Sequence, residues 1–465
     1  MAESQGQIDK RTTIDRSRIK RISESLTEPK NAQDRILYAS FDRFPSPKGA
    51  ATHIDAFVRA LGGKFGNVDL LTIPSEAHET ERADVPAILR QLQPPKATPV
   101  DRTPEPVWNA NGVAHHPMYA HGENFFERVL NFRSRMQHWW LGHLGRSAVS
   151  VVHFRSIFEG YPIARQKKKL CHRMVYEVNG LPSIELKYRY PNVADDSELL
   201  AKLLHQEDAC LAAADAIITV SAVNAEHLIR RGVAENRITV IRNGVDLDLF
   251  ASPDAPAETR PKTPSGSPMQ VLYAGTMSAW QGVSHAIEAV ALFRRDHPAT
   301  LTLVGPVRPR QRKELSQRIW NLGITDSVEI LDPVSKSELA ALHHGADVIL
   351  APLTRNDRNL EQGCCPLKVL EAMASGTPLI ASDIPVVREL ASNDVHAILV
   401  KPGSSKAIKD GMLKLLNEPG LGQRLSSAAR RRAEQEFSWQ RAQAQLLNVY
   451  ETLLSQPVTS PDRSN

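Results

Sequence analysis

Residues 363–376 read GCCPLKVLEAMASG, and PLIASD follows at 378–383. The first stretch is an apolar run that carries two charges, Lys368 and Glu371, and closes on Gly376. Proline suits the first turn of a helix, where its missing N–H costs nothing, and glycine suits the residue just past the end. A helix from Pro366 to Gly376 is therefore expected, followed by a short β-prone strand. Lys368 and Glu371 are three residues apart and share one helix face. The free amides of Cys364, Cys365 and Leu367 lie at the start of that helix, where partial positive charge favours an anion.

Outward from this segment the same alternation repeats. ELAALHHGADVILAP precedes it and AILVKPG follows, while MQVLYAGTM, ATLTLVGP and SVEILDP are strand-like runs separated by helical patterns over SHAIEAVALFRRD and RKELSQRIWNLG. Strands alternating with helices mean a parallel, doubly wound sheet, whose ligands bind outside the carboxyl ends of the strands. A second series lies upstream: RILYASF, VDLLTIP, SVVHFRSIF, RMVYEVNG, DAIITVS and RITVIRNGVD. Residues 252–268, SPDAPAETRPKTPSGSP, carry no apolar period and read as a linker. The expected organisation is a polar tail over 1–34, a first domain over 35–250, a linker over 251–268, a second domain over 269–435, and a terminal helix and tail over 436–465. Residues 76–125, rich in Pro, His and Asn, read as a long excursion.

Composition agrees with a soluble globular chain: 465 residues, 42% hydrophobic and 23% charged. Four cysteines, two of them adjacent, have neither disulfide-framework nor zinc-ligand spacing. No run of eighteen uncharged apolar residues occurs, and the N-terminus lacks the apolar core of a secretory signal. The expected location is cytoplasmic. The net charge is +5, yet residues 128–173 hold ten Lys and Arg against one acid, Glu159, with Trp and Phe interleaved. That stretch is open to three readings: a solvated basic face, a contact for the anionic inner face of a membrane, or nucleic acid. No recognition motif supports the last.

The segments DAIITVSAVNAEHLIRRG, ITVIRNGVDLDLF, VLYAGTMSAWQGVSHAIEA, LTLVGP and PLKVLEAMASGTPLIASDIPVVREL, in this order, resemble the family 4 retaining glycosyltransferases. The resemblance implies the GT-B fold, two Rossmann-like domains facing a cleft, and a nucleotide-diphosphate-sugar as co-substrate with no cofactor and no metal. It implies that Glu371 binds the two ribose hydroxyls of the donor and that Lys368 reaches the diphosphate, with the amides of Cys364 and Cys365 beside it. Members usually place a second carboxylate eight residues before Glu371, where this chain has Gly363. They also place an Arg and a Lys in the loop after the first strand of the second domain. Here that loop, Gly275 to Gly282, has Thr276 and Gln281 at those positions. Arg355 and Arg358, close in sequence to the helix start, are the expected substitutes together with Lys368.

In the first domain, Gly49 is expected to let backbone approach the acceptor and phosphates. His153 and Arg155 end one strand, and Glu177 and Asn179 end the next. The resemblance puts His153, Glu177 and Lys368 at the chemistry, and Arg155 and Asn179 at the acceptor, a glycan, a lipid-linked glycan or a small molecule. A lone histidine is also compatible with a purely structural role. Asn243 and Asp246 read as turn and cap residues. Two other functions stay open: a non-catalytic binder of nucleotide sugars, and a nucleotide-sugar epimerase of the same fold.

Overall fold

The computed structural model describes residues 35–46, 49–75, 108–144, 149–191, 195–251 and 267–456. The expected polar tail and nearly all of the linker lie outside these residues.

The first sheet contains β1 (Ile36–Arg43), β2 (Val68–Ile73), β3 (Asn109–Ala110), β4 (Val113–Pro117), β5 (Val149–Phe154), β6 (Cys171–Val178), β7 (Ala216–Thr219) and β8 (Ile238–Val240). Their order is β3-β4-β2-β1-β5-β6-β7-β8, parallel except for the short β3–β4 pair. The second sheet contains β9 (Met269–Ala274), β10 (Ala299–Val304), β11 (Val328–Leu331), β12 (Val348–Ala351), β13 (Leu379–Ser382) and β14 (Ile398–Val400), ordered β11-β10-β9-β12-β13-β14 and parallel throughout. Parallel strands covered on both faces must be apolar at successive positions. In β1, Ile36 and Tyr38 pack on one face while Leu37 and Ala39 pack on the other, and all four are buried.

One sequence expectation is corrected, and two stretches gain a definite place. The excursion ends earlier than residue 125, because residues 109–117 form β3 and β4 on the edge of the first sheet. The aromatic stretch from Phe125 is a helix, Phe125–His143, started by Asn124, whose side chain accepts from Glu127 N. Its Phe125, Phe132, Met136, Trp139 and Trp140 recur at helical spacing and enter the core, so most of its aromatic surface is unavailable to any partner. Finally, the expected terminal helix is Trp439–Ser455. It crosses back to the first domain, where Ala442, Leu446, Val449 and Tyr450 share a core with Ile36, Tyr38 and Phe57. The two domains are thereby joined at a second point besides the linker.

Candidate functional site

The helix Leu367–Ser375 begins one residue later than the proline pattern suggests, with Pro366 as its capping residue at φ −72° and ψ 108°. Gly376 ends it at φ 65°, as expected. Its start faces the start of the helix Gly49–Phe65 in the first domain. A Cβ placed on Gly49 would lie 2.6 Å from Leu367 Cδ1, so the two helix N-termini abut across the cleft. Neither helix has an acidic residue in its first turn. The positive ends of two macrodipoles therefore meet with no acidic residue in either first turn, which favours an anion there.

Lys368 is buried at this junction. Its Nζ donates to Tyr273 Oη at 3.1 Å and sits 4.2 Å from the centre of the tyrosine ring. Burial pushes its pKa down to about 7, while Glu371 and Cys364 act in the opposite direction and Arg358 adds to the depression. Glu371, half-buried one turn along, is pushed up to about 7 by burial, against the pull of Lys368 and Lys336. Burial thus makes both charges costly, a cost that hydrogen bonds and opposite charge from a ligand bearing hydroxyls and negative charge would reduce.

The remaining donor-side residues are distributed as follows. Gly275 turns the chain after β9 at φ 140°, Thr276 is exposed, and Gln281 keeps Oε1 buried without a hydrogen-bond partner. Arg358 is committed elsewhere: Nε donates to Glu185 of the first domain at 2.8 Å, and the guanidinium lies 4.0 Å above the Trp280 ring. Arg355 is exposed. Of the three cations expected to replace the usual pair, the fold brings Lys368 to the helix start, neutralises Arg358 against Glu185, and leaves Arg355 in solvent. Gly363 has φ 80°, and a Cβ there would lie 2.5 Å from Ser221 Oγ and 2.7 Å from Asn224 N. That packing against the first domain leaves no room for a carboxylate. Cys364 and Cys365 are buried thiols whose pKa burial raises, that of Cys365 to about 12, so both stay protonated.

On the first-domain side the structure gathers the strand-end residues around one carboxylate. Glu177, fully buried, accepts from Tyr38 Oη at 2.7 Å, His153 Nε2 at 3.0 Å, Arg155 Nε at 2.9 Å, and Asn179 Nδ2. Burial opposes its charge, but His53, Arg155 and His153 outweigh burial and hold it well below the usual carboxylate range. Burial lowers the pKa of His153, so its ring is neutral. Because Nε2 must donate to Glu177, Nδ1 accepts from Tyr450 Oη at 2.8 Å. His153 and Glu177 have no exposed surface. The carboxylate network encloses both of them, and its outer member, Arg155, donates from Nη1 to Asp42 at 2.9 Å.

Asn243, read as a turn residue, bridges the domains. Its Nδ2 donates to the Cys365 carbonyl at 2.9 Å, and its Oδ1 accepts from His53 Nδ1 at 2.8 Å. The other nitrogen of His53 lies 3.1 Å from Glu177 Oε1, poorly aligned for a hydrogen bond. Asp246 keeps its turn role, accepting from Leu249 N at 3.0 Å. His53, Tyr38, Tyr273 and Tyr450 were not among the expected site residues. Nothing local distinguishes them, since each acquires its partner through the fold.

Residues 47–249 match the family described as Glycosyltransferase Family 4, and residues 256–432 match Glycosyl transferases group 1. The chain is 32% identical over 253 residues to the D-inositol 3-phosphate glycosyltransferase of Xylanimonas cellulosilytica, an alignment that covers 52% of this chain and 58% of that protein. It is 32% identical over 259 residues to a glycogen synthase of Mycobacterium tuberculosis, covering 55% and 58%. The chain thus spans less than two thirds of the length of these relatives. Among solved structures, sucrose-phosphate synthase from Thermosynechococcus elongatus superposes with a TM-score of 0.69 at 20% identity, covering 90% of this chain and all of that one. HepE of Anabaena, solved in complex with UDP, superposes with a TM-score of 0.63 at 16% identity, again over 90% and 100%. The chain belongs to glycosyltransferase family 4 and has the GT-B fold.

Proposed function

We propose that this protein transfers a sugar from a nucleotide-diphosphate-sugar to a hydroxyl acceptor, with retention of configuration and without a metal ion. The observation that carries this reading is the meeting of two helix N-termini, neither with an acid in its first turn, with the buried Lys368 between the domains. A diphosphate has the charge and length to occupy that junction. The glycogen synthase and inositol phosphate glycosyltransferase relatives and the UDP-bound HepE support a sugar-nucleotide donor. In this reading Glu371 takes the ribose hydroxyls as an acceptor-only carboxylate. The departing diphosphate oxygen takes the acceptor's proton on the same face of the sugar, through an oxocarbenium-like state. The protein supplies position and charge stabilisation. The glycan, lipid-linked glycan or small-molecule nature of the acceptor is an expectation from the family resemblance.

Turnover of a panel of sugar nucleotides, with the anomeric configuration of the product read by NMR in the presence of EDTA, tests the proposal. A retained anomer formed without metal supports it. Binding without turnover on any acceptor would favour the non-catalytic reading, which Thr276, Gln281 and Gly363 motivate, and release of an altered free sugar would favour an epimerase. Glu371→Gln is expected to weaken donor binding by about 1.5–3 kcal/mol, roughly 10- to 150-fold. Wild-type affinity should also fall as pH drops below about 7, where Glu371 protonates, and this dependence should flatten in the variant. Unchanged affinity in Glu371→Gln would place the ribose elsewhere.

For location, among the described residues no helix is long and apolar enough to cross a membrane. We infer peripheral contact with an anionic membrane from the first domain. Phe126, Leu130 and Leu141 are 39%, 62% and 63% exposed along the outer face of the helix Phe125–His143, and Arg165, Lys168 and Lys169 are exposed beyond it. Each basic residue near such a surface contributes about 1 kcal/mol, within a Debye length. Binding to vesicles containing anionic lipid should weaken steeply from low to physiological salt, with little binding to neutral vesicles. Equal partitioning to both would remove this contact.

A further inference from the structure

We propose that Tyr273 is the positioning residue for Lys368, holding its ammonium over the turn after β9 where the donor diphosphate would lie; the inference rests on the nucleotide-sugar reading above. Tyr273 is fully buried at the carboxyl end of β9. Its hydroxyl donates to the Thr276 carbonyl at 2.7 Å. With its only proton so directed, the oxygen offers its lone pairs elsewhere, and Lys368 Nζ lies 3.1 Å away. Burial raises the tyrosine pKa, so the O–H remains a donor. The ring face supplies a second attraction, with Nζ 4.2 Å from its centre. Gly275 completes the arrangement. A Cβ there would lie 2.8 Å from Nζ, and at φ 140° a side chain would in any case be strained.

One aromatic side chain therefore does two things: it pins the turn through Thr276 and aims Lys368, the cation that the fold buries at this junction among the described residues. A lysine is a flexible point charge and needs such a support to act at a fixed place. The charged or titratable groups facing Nζ are Glu371 on its own helix, Cys364 and Arg358 on the preceding segment, and Tyr273 on β9. Among the described residues only Tyr273 is in hydrogen-bond contact.

The test is a double-mutant cycle read by calorimetric titration with UDP, ADP and GDP. Tyr273→Phe keeps the ring and removes the hydroxyl. It should weaken binding of the preferred diphosphate about tenfold, and move to lower pH the alkaline limb, where affinity declines as Lys368 loses its proton, because the lost bond favours charged Lys368. In a Lys368→Met background the same substitution should cost nothing further, since residues acting through one another are not additive. An equal loss with and without Lys368, or an unmoved pH profile, would mean that Tyr273 only anchors the turn, and would overturn the inference. Thermal melting of each variant confirms that the fold persists. If wild-type protein binds none of the three diphosphates, the donor reading itself fails, and that is known before any variant is made.

Discussion

Lys368→Met is expected to lower turnover of the sugar nucleotide by about 10²–10³-fold, the loss typical of removing one preorganised charge stabiliser, without loss of thermal stability. The expectation follows from what surrounds the site. The positions that usually supply two cations hold Thr276 and Gln281, Arg358 is paired with Glu185, and Arg355 is in solvent. Stability should move the other way. Burial lowers the folded pKa of Lys368 from 10.5 to about 7, so between these values the unfolded chain holds the extra proton and stability rises with pH. At and below about pH 7 the full cost of the buried ammonium is present. The melting temperature of Lys368→Met should therefore exceed that of the wild type more at pH 6 than at pH 9. Near-normal turnover in the variant would show that charge stabilisation comes from elsewhere.

The second large effect is on folding. Glu177→Gln should destabilise the protein by about 3–5 kcal/mol, because removing one partner leaves a buried charge uncompensated. Arg155 is buried with its Nε on Glu177, and Tyr38 and His153 both donate to the same carboxylate. An amide would present N–H groups to donors. The carboxylate's pKa is held below its usual 4.5, so its contribution is present above that value and is lost as pH falls through the folded pKa. Denaturant titrations at neutral pH and near pH 4 give the check: the gap between variant and wild type should narrow in acid. A loss below about 1 kcal/mol at neutral pH would mean that the network around Glu177 contributes little.

The sheets were legible because strands buried on both faces write continuous apolar runs, as in Val149–Phe154 and Val348–Ala351. Lys368 and Glu371 were legible as charges on one face of an otherwise apolar helix. Partners distant in sequence were not. Tyr38 meets Glu177 across 139 residues, His53 meets Asn243 across 190, and Tyr450 meets His153 across 297. Arg358 looked like a free cation because its counter-charge, Glu185, lies 173 residues away. Trp139 and Trp140 suggested a membrane interface until the helix face that carries them proved to be the inner one. Composition counts charges and rings, whereas packing decides which are still available.

The central claim is that an anionic diphosphate is held where the helices from Gly49 and Leu367 meet over Lys368. Calorimetric titration in EDTA with UDP, ADP and GDP, each against its own nucleoside, tests it most directly. At least one diphosphate should bind about tenfold or more tighter than its nucleoside, as charged hydrogen bonds of about 1.5–3 kcal/mol require. Equal affinity for nucleoside and diphosphate, or binding of neither, would contradict it.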